Sequence, residues 1–165
     1  MEIAFYTAAA VAILATLGVV IGKQPVHSLL CLVVSLLAVA MIFFALGAPF
    51  AGALEMIVYA GAILVLFVFV VMMLNLANSE PQERAWLAPG VWWYPAALSF
   101  VLLVQWLVVL PVSGAPLGDR VIGPKEVGMA LYGPYLLIVE LASMLLLAAM
   151  VAAWHLGRHD DDKKE

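Results

Sequence analysis

The sequence predicts an all-α integral membrane protein with five transmembrane helices, on three observations. Hydrophobic residues make up 67% of its 165 residues and charged ones 11%, with a mean hydropathy of +1.14. A water-soluble domain of this length carries roughly 25% charge and has too little interior to hide so much apolar surface. The apolar residues gather into five runs punctuated by proline and glycine, each long enough to cross a hydrocarbon layer of ~30 Å as one helix. Acids and bases lie almost entirely in the connections and the C-terminal tail. No surface is basic enough for nucleic acid, and the expected surroundings are a lipid bilayer.

In chain order, the first span covers about residues 3–22 and is read as retained: it lacks a basic leader, its apolar run is too long for a signal peptide, and its first lysine, Lys23, follows the run. Pro25 forces a tight turn and opens the second span, 26–46. Gly47, Ala48, Pro49 and Phe50 form a second turn before the third span, 52–75. Residues 78–89 are the first polar loop. The fourth span, 91–110, opens on Trp92, Trp93 and Tyr94, an aromatic cluster suited to headgroup depth, with Pro95 in its first turn and Pro111 closing it. A Gly- and Pro-rich stretch, 112–131, ends in a candidate short interfacial helix. The fifth span, 133–155, leads to a polar cytoplasmic tail, so that residues 1–156 form the membrane domain and 157–165 the tail.

Orientation follows from the distribution of lysine and arginine. With five spans, Lys23, Arg84, Arg158, Lys163 and Lys164 share one side and Arg120 and Lys125 the other. Five against two places the C-terminus in the cytoplasm and the N-terminus outside. No internal repeat suggests an inverted-repeat transporter, and five spans are too few to enclose a gated path alone, so the expected state is one subunit of a larger assembly.

Glu55 and Glu140 are the carboxylates that fall within spans. An ionised acid at a helix centre costs ~2.5–3.5 kcal/mol on insertion scales, so such residues normally face protein or a hydrated cavity. In the orientation above, Glu55 lies about one turn deep and Glu140 about two. Each is open to a structural reading, an interfacial carboxylate favoured by the helix dipole, and to a functional one, a proton relay or an electrostatic partner for a titratable group on a neighbouring subunit. At α-helical spacing Glu55, Tyr59 and Ala62 share a face, which puts a phenol in line with the carboxylate. Gly61, between Ala60 and Ala62, suits either close helix approach or a local irregularity in winding.

Other candidates carry less. Cys31 cannot form an intrachain disulfide, being the single cysteine, and fits a small buried hydrophobe. His27 and His155 sit at span rims, where interfacial roles outweigh a bis-histidine haem, and His159 lies in the tail. Gln105 requires a hydrogen-bond partner on another helix. The sequence carries no phosphate-binding glycine loop, metal-ligand cluster or nucleophile motif.

Residues Phe50–Leu76, FAGALEMIVYAGAILVLFVFVVMMLNL, closely resemble the third helix of the chain 6, or subunit J, family of bacterial respiratory NADH:quinone oxidoreductase. The run PVHSLL from Pro25 and the run GPYLLIVELAS from Gly133 to Ser143 resemble the same family. The likeness covers nearly the whole chain in matching order, least in residues 113–129, and Cys31 and its neighbours bear no family motif. The resemblance implies a non-redox subunit of the bacterial cytoplasmic (inner) membrane. Its partners would be small membrane subunits, the quinone-site subunit and antiporter-like subunits. NADH, FMN, iron–sulfur clusters and quinone would bind on those other subunits and none on this chain. It further implies a π-bulge near Tyr59 and Gly61, whose interconversion with regular helix is linked to proton movement. A register change there would shift Tyr59 relative to Val65 and Phe67, giving Glu55, Tyr59, Gly61, Val65, Phe67 and Glu140 as the proton-path or coupling residues.

Overall fold

The computed structural model describes residues 2–22, 25–73, 92–109 and 121–157. The expected turn at Lys23 and Gln24, the polar loop at 78–89, Pro111 and the tail from Arg158 lie outside these, as do Arg84 and Arg120. Every element among the described residues is helical: α1 (Glu2–Ile21), α2 (Pro25–Ala45), α3 (Pro49–Leu54), a π-helical segment (Glu55–Ile63), α4 (Leu64–Met73), α5 (Trp93–Val109), α6 (Pro124–Leu131) and α7 (Leu136–Gly157). The chain divides into two units, residues 1–122 and 123–165.

In the first unit, α1 and α2 are long apolar helices. Pro25 occupies the start of α2, where its missing N–H would have had no partner in any case. The end of α2 is closed by a glycine in the left-handed region: Gly47 has φ 82°, Ala48 N–H reaches Phe43 O at 2.9 Å, and Gly47 N–H reaches Phe44 O at 3.1 Å. These are the paired bonds of a Schellman stop, and they satisfy carbonyls that the end of α2 would otherwise leave open. Pro49 then opens the third span, three residues earlier than the sequence suggests.

The core lies among α1, α2 and α5, where Ala8, Val11, Ala15, Val34, Ala38, Met41, Leu98 and Leu102 pack together. Alanines on α1 and α2 let the two backbones approach closely, the packing mode that lipid-embedded helices favour. Polar side chains tie the same helices. Thr16 and Ser35 share a hydroxyl hydrogen bond of 2.9 Å across α1 and α2. The phenol of Tyr94 donates to Leu14 O, and Gln105 Nε2 donates to Ala4 O. Gln105 thus finds the partner helix that its chemistry demanded.

These contacts fix directions. The start of α5 (Tyr94) meets the later half of α1 (Leu14), and its end (Gln105) meets the beginning of α1 (Ala4). Tyr94 also faces His27 near the start of α2, at 6.1 Å between ring centroids, and Trp106 meets Phe44 near its end. So α5 runs antiparallel to α1 and parallel to α2. With 17 residues, α5 is about 25 Å long, at the short end of what spans a bilayer.

The second unit contains α6 and α7. The short helix expected at the end of the 112–131 stretch forms as α6, begun by Gly123 in an extended conformation and Pro124. The fifth span starts at Leu136 rather than at Gly133. Tyr132–Tyr135 are turns, in which Tyr135 N–H bonds Ala130 O at 3.2 Å and Leu136 N–H bonds Gly133 O at 3.2 Å. Proline at 134 has no N–H to continue α6, and a separate start is needed.

Candidate functional site

The third span is continuous from Pro49 to Met73 but wound in three segments of two kinds. Regular α-helix runs to Leu54, π-helix covers the nine residues Glu55–Ile63, and α-helix resumes at Leu64. The handover is visible at Leu64, whose N–H lies against both Gly61 O and Tyr59 O, the latter five residues back. Each π turn takes up more residues than an α turn and is ordinarily confined to single bulges at functional sites. The expectation that Glu55, Tyr59 and Ala62 align at i, i+4 and i+7 assumes regular winding. In the wider turns Tyr59 stays near the face of Glu55, while Ala62 leaves it.

The span turns one side toward the other helices of its unit. Leu64 is buried, and Met56 lines an apolar groove of about 350 Å³ with Val34 and Leu37 of α2 and Ser99, Leu102 and Trp106 of α5. The opposite side is open. Tyr59 is 51% exposed, Val65 61% and Phe67 52%, so these three sequence candidates point away from the packed core. Glu55 is half-buried, and its side chain has no hydrogen-bond or ion-pair partner among the described residues.

Gly61 bears on the winding more than on packing. A Cβ there would meet one atom within 4 Å, the carbonyl oxygen of Met56 at 3.3 Å. No neighbouring helix among the described residues comes close enough to require a glycine. Residue 56 is five positions back, so its carbonyl faces residue 61 because of the π turn. Among the described residues, therefore, no close helix approach accounts for Gly61.

Glu140 stands in α7 of the second unit, exposed and with no partner among the described residues. Ser143, one turn on, donates to its own helix at Val139 O (2.9 Å). His27 lies half-buried on α2, its ring nitrogens 4.0 Å from Cys31 Sγ, and Cys31 is fully buried as expected for a small hydrophobe. No cluster of three or more metal-binding side chains occurs among the described residues.

Some contacts escape sequence reasoning. Thr16 Oγ1 donates to Ala12 O of its own helix (2.8 Å) as well as meeting Ser35, and a hydroxyl that can be satisfied locally announces no partner. Gly52 lets α3 sit directly on α2: an added Cβ would meet the Phe44 ring at 2.7 Å and Ala40 O at 2.9 Å. The small residue at 52 was the available signal, but it could not say which helix approaches.

Comparison with known proteins identifies the family. Residues 15–156 match the model of the NADH-ubiquinone/plastoquinone oxidoreductase chain 6 family. NADH-quinone oxidoreductase subunit J of Pseudomonas aeruginosa is 66% identical over 163 residues, covering 97% of this chain and 98% of that protein. The subunit J of Escherichia coli K12 is 58% identical, covering 97% of this chain and 88% of its own length. That of Buchnera aphidicola from Schizaphis graminum is 49% identical, covering 96% and 98%. With matches of this extent and identity, the chain belongs to the NADH-ubiquinone/plastoquinone oxidoreductase chain 6 family, the subunit J membrane proteins of NADH-quinone oxidoreductase.

Proposed function

We propose that this chain is a non-redox membrane subunit of a proton-translocating NADH:quinone oxidoreductase, and that it couples quinone reduction to proton movement through a change in winding of its third span. The observation that carries the reading is the π-wound segment Glu55–Ile63, with its half-buried carboxylate and exposed phenol. A π turn and an α turn of the same residues differ in register, so conversion re-aims the side chains beyond it, Val65 and Phe67 among them. Glu55 and Tyr59 then gain or lose access to groups on neighbouring subunits, while Glu140 serves as a second polar site.

The setting is the bacterial cytoplasmic membrane, with the N-terminus outside and the C-terminus cytoplasmic on the strength of the lysine and arginine distribution. Labelling of the N-terminus from the cytoplasmic side alone would reverse that orientation. The flavin, clusters, NADH and quinone belong to partner subunits, including the quinone-site subunit. This chain packs among small membrane subunits beside antiporter-like ones.

Replacing Gly61 by leucine tests the coupling. The larger residue should lower proton pumping and quinone reductase activity together, and normal coupled turnover in an assembled complex would count against the reading. A structural scaffold is the alternative: with Tyr59→Phe or Glu140→Gln, a scaffold assembles and turns over normally, whereas a coupling element loses activity in at least one of them.

A further inference from the structure

Two apolar cavities between α2 and α5 join into one groove. The outer, of about 260 Å³, is lined by Leu30 and Val33 of α2 and by Trp92, Pro95 and Ala96 at the start of α5. The inner, of about 350 Å³, runs on to Met56, Leu103 and Trp106. Val34, Leu37 and Ser99 line both, which makes the two continuous. From Trp92 to Trp106 the groove follows α5 for ~21 Å, more than half of a ~30 Å hydrocarbon core.

Shape and lining decide what can enter. The two helices touch at both ends of the groove, through the rings of His27 and Tyr94 (6.1 Å between centroids) and of Phe44 and Trp106 (5.2 Å). Its floor is packed core, Val34 and Leu102. The opening is therefore a slit within a packed pair. A whole helix seats with its axis ~8–10 Å from its neighbour's, whereas an extended hydrocarbon chain is narrow enough to lie in the slit. Among the described lining residues, polar side-chain groups are confined to the Ser99 hydroxyl and the indole N–H groups of Trp92 and Trp106, so a polar ligand finds few partners there. The outer end opens beside Trp92, Trp93 and Tyr94, all exposed and of the residue types that sit at headgroup depth. The groove is thus continuous with the lipid surface that the apolar spans already face.

We propose that this groove binds one acyl chain of a membrane phospholipid, with the headgroup beside Trp92 and Trp93 and the methyl end toward Met56 and Trp106. A lipid tail gains no hydrophobic free energy by leaving other tails. What holds it is dispersion contact along the walls of the slit, together with the Trp92 indole N–H donating to an ester or phosphate oxygen of the headgroup. Ser99 does not spoil the lining, because a helical serine can turn its hydroxyl to the carbonyl four residues back. The site does not depend on the coupling role of the third span.

The experiment uses the assembled complex, exchanged in detergent and reconstituted into bilayers of phosphatidylethanolamine and phosphatidylglycerol whose acyl chains carry bromine. One preparation has the bromine near the carboxyl end of the chain and the other near the methyl end, and both are imaged by electron cryo-microscopy. The expected result is bromine density in the groove several-fold above that of lipid elsewhere around the complex. It should shift from beside Ala96 toward Leu103 and Trp106 as the bromine moves to the methyl end. A shift in the opposite direction, or bromine no denser than in the surrounding lipid, overturns the proposal. So does a groove filled by a helix or side chains of a neighbouring subunit. Ala96→Phe puts a ring into the outer half and should abolish the bromine density there, and density that persists unchanged in that variant also overturns the site. The measurement on the unaltered complex decides the matter even where the variant fails to assemble.

Discussion

Gly61→Ala isolates the balance between the two windings with the smallest possible change. Alanine favours regular helix over glycine by about 1 kcal/mol, chiefly through the backbone freedom that glycine loses. In the π form that gain is opposed. The new methyl would lie 3.3 Å from Met56 O, close enough that the carbonyl must give by a few tenths of an ångström. Regular winding takes residue 61 off that carbonyl and retains the whole gain. The expected shift is therefore toward α-helix by up to about 1 kcal/mol, roughly a fivefold change in the ratio of the two forms. It is read at Leu64, whose N–H should leave Tyr59 O for Ala60 O in the structure of the variant complex. If both forms are visited in each turnover, quinone reductase activity should fall by up to about the same factor. Ala62→Gly is the control, since it weakens regular helix nearby without touching the Met56 carbonyl. A Gly61→Ala complex that keeps Leu64 on Tyr59 O and turns over normally would refute the role assigned to that contact.

Other substitutions probe what holds the first unit together. Gln105→Leu removes a bond to Ala4 O worth ~0.6 kcal/mol between membrane helices, but also a buried Oε1 that has no partner among the described residues, an unmet group costing ~1–3 kcal/mol. Denaturant titration of the purified complex should find the variant equal to or up to about 2 kcal/mol more stable than its parent, and a loss above about 1 kcal/mol would contradict this balance. Tyr94→Phe keeps the ring beside Gly18 and gives up the bond to Leu14 O, so it should cost no more than ~1 kcal/mol in the same titration. Gly18→Ala should cost more than Tyr94→Phe, because its methyl would lie 2.6 Å from the Tyr94 ring and 3.1 Å from Cys31 Sγ. Met41→Ala empties a fully buried site where α1, α2 and α5 meet and should lower stability by ~2–5 kcal/mol, a value to be checked by the same denaturation midpoint.

Hydropathy made the helices legible because a membrane span announces itself by composition and length, and prolines 25 and 49 mark the beginnings of α2 and α3. It could not reveal which helices form the core. These spans are apolar all round, so no stripe of the sequence distinguishes a side facing protein from one facing lipid. That α5 pairs with α1 and α2 depends on Tyr94, Gln105 and Trp106, three residues whose partners lie far away in sequence. At the candidate site, Glu55 and Tyr59 stand out as residue types uncommon in lipid. Gly61 is compatible with either winding, and residue type alone does not set where a π segment starts or stops. The contact between Gly61 and the Met56 carbonyl is a property of the backbone path, which only coordinates supply.

The antiparallel pairing of α5 with α1 also simplifies the mapping of sidedness. The start of α1, the Gly47 turn, the end of α5 and Ile122 are linked by direct bonds or ring contacts, so they emerge on one face of the bilayer. The end of α1 and the starts of α2 and α5 share the other face. A reporter domain fused ahead of Glu2, active in one compartment only, would therefore assign the compartment of every described connection in the unit at once. Two reporters giving inconsistent answers would mean that one of the fusions had inverted a helix.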